Sequence, residues 1–163
     1  MALTQIQGSG ISNITISADG EVTKAAQPAF SAGPATLQSN LAINGYVDVV
    51  LGTEVYDVGS NFASNTFTAP VTGKYQLSIM MYALAIDTAS SSIFFNIDTS
   101  NRDYFNLIDP RGYAQDLDAL VFPLSVLADM DANDTAKVTF YQQGGTAQAD
   151  ISTASFFTGV LIC

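Results

Sequence analysis

The sequence contains no histidine, no tryptophan and a single cysteine, Cys163. Without histidine, Ser-His-Asp and Cys-His catalysis are excluded, along with imidazole metal sites and the commonest general base. One cysteine forms no intrachain disulfide and cannot by itself hold zinc. Charge is also scarce. Only 12% of the 163 residues are charged, against roughly 25% in ordinary soluble proteins. Five cations (Lys24, Lys74, Arg102, Arg111, Lys137) face fifteen acids, for a net charge of −10. They are scattered, so no basic patch exists to neutralise phosphates, and nucleic acid and anionic membrane are excluded as partners. No apolar run approaches the roughly 18 residues of a membrane-spanning helix. The start, Met1-Ala2-Leu3-Thr4-Gln5, has neither a basic stretch nor an apolar core, so no secretion signal is expected. Neither a P-loop nor a dinucleotide fingerprint is present.

What remains is apolar: 48% of the residues are hydrophobic. A monomer so poor in charge would expose broad neutral surface, and burial against copies of itself is the simplest remedy. Short β-branched and aromatic runs alternate with turn residues every 8 to 12 positions or so, the pattern of a sandwich or barrel. Strands are expected at 29–32, 46–51, 66–69, 73–85, 92–97, 120–127, 135–142 and 155–162; eight is the jelly-roll number. Residues 1–27 differ. A small hairpin is expected from Ile14-Thr15-Ile16-Ser17, a turn at Asp19-Gly20, and Glu21-Val22-Thr23, with too few large apolar groups for a core of its own. The division is therefore an arm, 1–27, and a head, 28–163.

Two strands do not alternate cleanly. In the strand from Tyr75, one face carries Tyr75, Leu77, Ile79, Met81 and Ala83; the other begins polar and turns apolar at Met80, Tyr82 and Leu84. The last strand is apolar on both faces: Phe156, Val160 and Ile162 on one, Phe157, Leu161 and Cys163 on the other. A strand with one solvated face alternates, so the second face is expected to lie against a neighbouring subunit.

Residues 67–77 read FTAPVTGKYQL. This resembles the signature of the C1q-like domain: an aromatic, five residues, Gly, any residue, Tyr. Val55-Tyr56-Asp57-Val58-Gly59-Ser60-Asn61-Phe62 is similar to the segment leading into it. Pro28-Ala29-Phe30-Ser31-Ala32 resembles the family's opening strand, 127–138 its "L-x-x-G-D-x-V" entry, and Ser155-Phe156-Phe157-Thr158-Gly159-Val160-Leu161-Ile162 its closing strand. The matches fall in family order across 28–163. Leu77 stands where the family prefers Phe, the loop from Phe62 to Phe67 is short, and Asn133 replaces a Gly. Asn tolerates a left-handed turn better than most residues.

The resemblance implies an all-β C1q/TNF-like jelly-roll sandwich that forms a homotrimer and does no catalysis. With no collagen stalk and a short arm, the chain looks like bacteriophage virion proteins that carry this head on the particle exterior. The implied function is a capsid decoration (cement) protein, made in the host cytoplasm and attached through its arm to capsid or tail proteins. The alternative is a tail-fibre tip recognising host glycans. Phe30, Phe67, Gly73, Tyr75, Tyr82, Phe157, Gly159 and Leu161 are the expected structural and trimer-core residues, with Gly73 in a turn of positive φ. Ile11, Ile14, Ile16 and Val22 are the expected attachment residues of the arm.

The remaining polar and aromatic residues offer three chemical options. Asp98, Asp103, Asp109, Asp116 and Asp118 could supply a glycosidase pair, but acidic residues keeping a surface soluble fit better. Asp129-x-Asp131-x-Asn133 resembles the start of a calcium loop, without the following Gly and bidentate Glu; no cofactor is expected, calcium being the one candidate. Phe94, Tyr104, Phe105 and Tyr113 could contact glycans, though aromatics in a sandwich usually belong to core or subunit contacts.

Overall fold

The computed structural model describes residues 14–163. Ile14–Ile16 (β1) and Val22–Lys24 (β2) form a two-stranded antiparallel hairpin. Its turn is closed by Gly20 at φ +89°, and Ser17 Oγ donates to Glu21 Oε2 at 2.6 Å. The arm hairpin is thus as expected. Ile11 lies outside the described residues.

The head is two packed sheets. Its strands are Ala29–Gly33 (β3), Tyr46–Asp48 (β4), Thr53–Val58 (β5), Phe62–Ala63 (β6), Thr66–Thr68 (β7), Gly73–Ile86 (β8), Ser90–Thr99 (β9), Asp103–Ile108 (β10), Leu117–Met130 (β11), Thr135–Gly144 (β12), Asp150–Ile151 (β13) and Phe156–Leu161 (β14). One sheet has the order β10-β9-β12-β7-β6, with β4 also on β12; the other runs β11-β8-β14-β3-β5, with β13 on β8. All the pairings are antiparallel. All eight expected strands are present, although 46–51 shortens to β4. Four further strands, β5, β6, β10 and β13, were not expected.

Inward faces meet in a core dominated by rings. Phe30 stacks on Phe67 at 4.7 Å and on Phe62 at 5.0 Å, and meets Phe157 edge-on at 4.9 Å. Phe67 in turn lies 5.4 Å from Tyr75. The cluster ties β3 and β14 of one sheet to β6 and β7 of the other, and such aromatic contacts add to simple area burial. Tyr75 is buried, but its hydroxyl donates to Val71 O at 2.8 Å; burial pushes its ionisation upward. Gly159 lets the Phe30 ring lie against the backbone, where a Cβ would also sit 2.8 Å from Leu77 Cδ2.

Gly73 departs from expectation. Its φ is not positive, so no left-handed turn requires glycine there. The reason for glycine is crowding: a Cβ would meet Cys163 O at 2.5 Å and Leu161 Cδ1 at 2.6 Å. Asn133 does adopt the left-handed conformation, φ +76°. Pro123 lies within β11, at the sheet edge, where a missing N–H leaves no ladder partner wanting. Its carbonyl accepts from Asn106 Nδ2 of β10 at 2.7 Å, which joins the two sheets along that side.

Candidate functional site

The outward face of the β11-β8-β14-β3-β5 sheet is built in rows set by strand register. Val121 lies beside Tyr82. The next row is Pro123, Met80, Phe156, and the one after it Ser125, Ser78, Thr158, Ser31, Tyr56. The fourth is Leu127, Gln76, Val160, Ala29, Val58. No charged side chain stands in these four rows. Hydrogen bonds run along and between these rows: Ser78 Oγ and Ser125 Oγ are 2.7 Å apart, and Gln76 Nε2 of the fourth row donates to Ser125 Oγ at 2.8 Å. Around them Val121, Leu127, Phe156 and Tyr56 are exposed, and Met80, Tyr82 and Val160 half-buried. The charge-free patch ends at the Lys74–Asp129 ion pair, 2.5 Å. A neutral, partly apolar face of this kind stands out on a chain of net charge −10, since such patches are uncommon on surfaces left to solvent.

Of the residues expected at the trimer core, Phe30, Phe67, Tyr75, Phe157 and Gly159 are buried inside the subunit's own head, and Gly73 and Leu161 are half-buried at its base. Tyr82 alone is on the open face. The neighbours that complete this face, Met80, Val121, Leu127 and Phe156, were visible only in part, because β11 reads as a strand of mixed pattern until its register with β8 is known. On the arm, Ile14 is 39%, Ile16 68% and Val22 63% exposed. A cleft of about 660 Å³ separates the hairpin from the base of the head, lined by Ile14, Lys24, Gln27, Val71, Leu161 and Cys163 among others. Gln27 Nε2 donates to Leu161 O, and Leu161 N to Pro28 O at 3.0 Å, so the arm root and the closing strand are hydrogen-bonded together.

The five carboxylates do not converge on one cleft. Asp98 and Asp103 face each other across β9 and β10. Asp109 is held by Arg111 at 2.6 Å, which keeps its carboxyl below the usual range. Asp116 accepts from Thr88 Oγ1 at 2.6 Å, and Asp118 is exposed on β11. The suggested calcium ligands also part ways: Asp129 pairs with Lys74, Asp131 accepts from Thr72 Oγ1 at 3.3 Å, and Asn133 serves the turn. Among the described residues, no group of three or more Asp, Glu, Cys or His side chains gathers as a metal site would need. The four aromatics divide: Phe105 and Tyr113 are exposed and Phe94 is half-buried, whereas Tyr104, also half-buried, packs against the core.

No family model matches the chain, and no curated protein matches it. Solved structures do. The globular domain of zebrafish complement 1qA protein is 16% identical with a TM-score of 0.58, over 84% of this chain and 98% of that one. Murine APRIL is 12% identical with a TM-score of 0.60, over 83% and 99%. At such identities the likeness concerns architecture alone: the chain folds as a C1q/TNF-like jelly-roll sandwich.

Proposed function

We propose that the protein is a non-catalytic, homotrimeric structural module on the exterior of a bacteriophage particle. In this reading it decorates or cements the capsid, with heads joined through the β11-β8-β14-β3-β5 face and the arm bound to capsid or tail proteins. The carrying observation is the charge-free outward face around Met80, Tyr82, Val121, Leu127 and Phe156. The exposed arm strand, with Ile14 and Ile16 uncovered, supports attachment by strand addition to a partner's sheet edge. The virion setting rests on the sequence resemblance.

Sedimentation of the full chain at micromolar concentration tests the assembly, with a trimer expected. A monodisperse monomer overturns it. Copy number on purified particles tests the setting: many copies per virion are expected, and absence from particles refutes it.

A further inference from the structure

The opposite face of the head, which the trimer reading leaves open, is built differently. On the outside of the β4-β12-β9-β10 strands, register again sets rows. The first is Tyr46, Tyr141, Phe94, Leu107. The second is Asp48, Thr139, Asn96, Phe105, and the third Lys137, Asp98, Asp103. A solvated sheet face ordinarily turns polar residues outward. Here four rings form a continuous chain: Tyr46 to Tyr141 at 4.9 Å, Tyr141 to Phe94 at 5.0 Å, Phe94 to Phe105 at 6.0 Å. The rings at its two ends are the most open, Tyr46 at 66% and Phe105 at 61%.

Beside the rings the face is rich in acceptors. Asn96 is 4% and Thr139 3% exposed, although both side chains point away from the core. Asn96 Nδ2 donates to Thr139 Oγ1 at 3.2 Å, while Asn96 Oδ1 is the one buried side-chain polar atom among the described residues with no partner. A buried acceptor without a donor is costly. Around it stand the carboxylates Asp48, Asp98 and Asp103. Burial, followed by the hydrogen bond and like charge of Asp103, raises the Asp98 carboxyl above its ordinary range, so this pair favours an added donor. The single cation, Lys137, is committed to Asp48 at 2.8 Å.

We propose that this face is a binding platform for a neutral saccharide, whose apolar ring faces lie on Tyr46 and Phe105 and whose hydroxyls donate to the Asp and Asn row. The complement needed is a molecule with flat apolar patches and many donors. Acidic sugars meet three carboxylates against one paired ammonium. A second copy is a poorer complement, since three of its five cations, Lys74, Arg111 and Lys137, are each already paired with a carboxylate. A compact cation prefers an open ring face, but Phe94 and Tyr141 turn theirs toward each other, with planes 22° apart. Two open rings separated by a stacked pair suit an extended oligosaccharide.

Saturation-transfer NMR on the full chain tests this with maltoheptaose, chitotetraose and a mannan oligosaccharide, using polysialic acid and spermidine as charged controls. Transfer to at least one neutral oligosaccharide is expected, with affinity falling roughly tenfold when Tyr46→Ala and Phe105→Ala are combined. Both rings are largely exposed, so the melting temperature should hold; if the pair fails to fold, Tyr46→Ala on the short β4 is the readout. The proposal is overturned if no neutral oligosaccharide binds at millimolar concentration, if only spermidine binds, or if the folded variant binds as the parent does. Sedimentation of the same samples separates this site from the assembly: a monomer that binds sugar refutes the trimer and supports the platform.

Discussion

Gly159 and Asp87 show how single residues hold this head together by different means. Gly159 is a packing requirement. Its backbone on β14 is ordinary, but the Phe30 ring and Leu77 occupy the space a side chain would need. Gly159→Ala should therefore cost about 1–3 kcal/mol through overpacking, whereas Gly112→Ala, where nothing lies within 4 Å of the added methyl, should fall within about 0.5 kcal/mol of the parent. Urea melts of the two variants compare them directly. Asp87 is a hydrogen-bond requirement. It is 4% exposed, and its carboxylate accepts from Thr146 N at 2.5 Å, Ala147 N at 2.8 Å and Ala89 N at 2.7 Å. These bonds favour the ionised form and lower its pKa, led by the Ala147 amide, against an opposing contribution from burial. A folded value below the unfolded one means that the stabilisation is complete above the unfolded carboxylate range, about pH 4. It is lost as pH falls through the lower folded value. Asp87→Asn turns an acceptor into a donor facing backbone donors and should cost about 1–3 kcal/mol at neutral pH. The same change should flatten the loss of stability below about pH 4, as read by thermal melts from pH 7 to pH 2.

The strands differ in how plainly the sequence announces them. β8 was legible in detail, since Tyr75, Leu77, Ile79, Met81 and Ala83 are all buried and the intervening residues half-buried or more open. β10 was not. Its residues DYFNLI alternate between exposed and half-buried, with none fully buried. It is an edge strand in which Phe105 and Leu107 point outward while Tyr104 and Ile108 pack against the core, so apolar residues on both faces blur the usual alternation. β5 is hidden for a similar reason: it is an edge strand with a register irregularity opposite Ser31 and Ala32, and Val55 and Tyr56 are exposed. The residues expected as structural or trimer-core fall on two different faces. Sequence identifies large apolar side chains but not the side of the sheet to which a row belongs, so Phe30 and Phe157 were grouped with Tyr82 although they face opposite ways. The arm was readable because Asp19-Gly20 is a strong turn signal. Nothing in β1 or β2 is buried, so the hairpin adds little to the head. Deleting residues 1–26 should leave the melting temperature of the head and its oligomeric state unchanged while abolishing incorporation into particles. Calorimetry, sedimentation and particle co-purification check the three parts, and a truncated chain that falls to monomers would place the arm within the trimer.

At the scale of the whole molecule, the two outer faces differ in chemistry. One carries no charge over four rows of side chains; the other joins exposed rings to carboxylates. If the first is the subunit contact, each copy should bury more than roughly 800 Å² per partner. Placing a carboxylate on it, as in Tyr82→Asp with Leu127→Asp, should yield a folded monomer, because both side chains point away from the core. Light scattering with circular dichroism reads both outcomes, and a variant that stays trimeric would move the contact elsewhere. The base of the head carries a further consequence. Arm root and closing strand are tied there by Gln27, Pro28 and Leu161, and Cys163 O accepts from Lys74 N at the start of β8. The 14 residues of β8 then run to the opposite pole, about 45 Å away at the usual rise per residue, where Asp87 fixes the 144–147 loop. Both ends of the described chain thus emerge at one pole. Cargo fused after Cys163 would crowd the end from which the arm emerges, whereas a peptide inserted at the exposed Gly112, beside the far pole where Leu117 pairs with Ile86, would stay clear of the arm, leave the Asp87 bonds intact and make the head a scaffold for display.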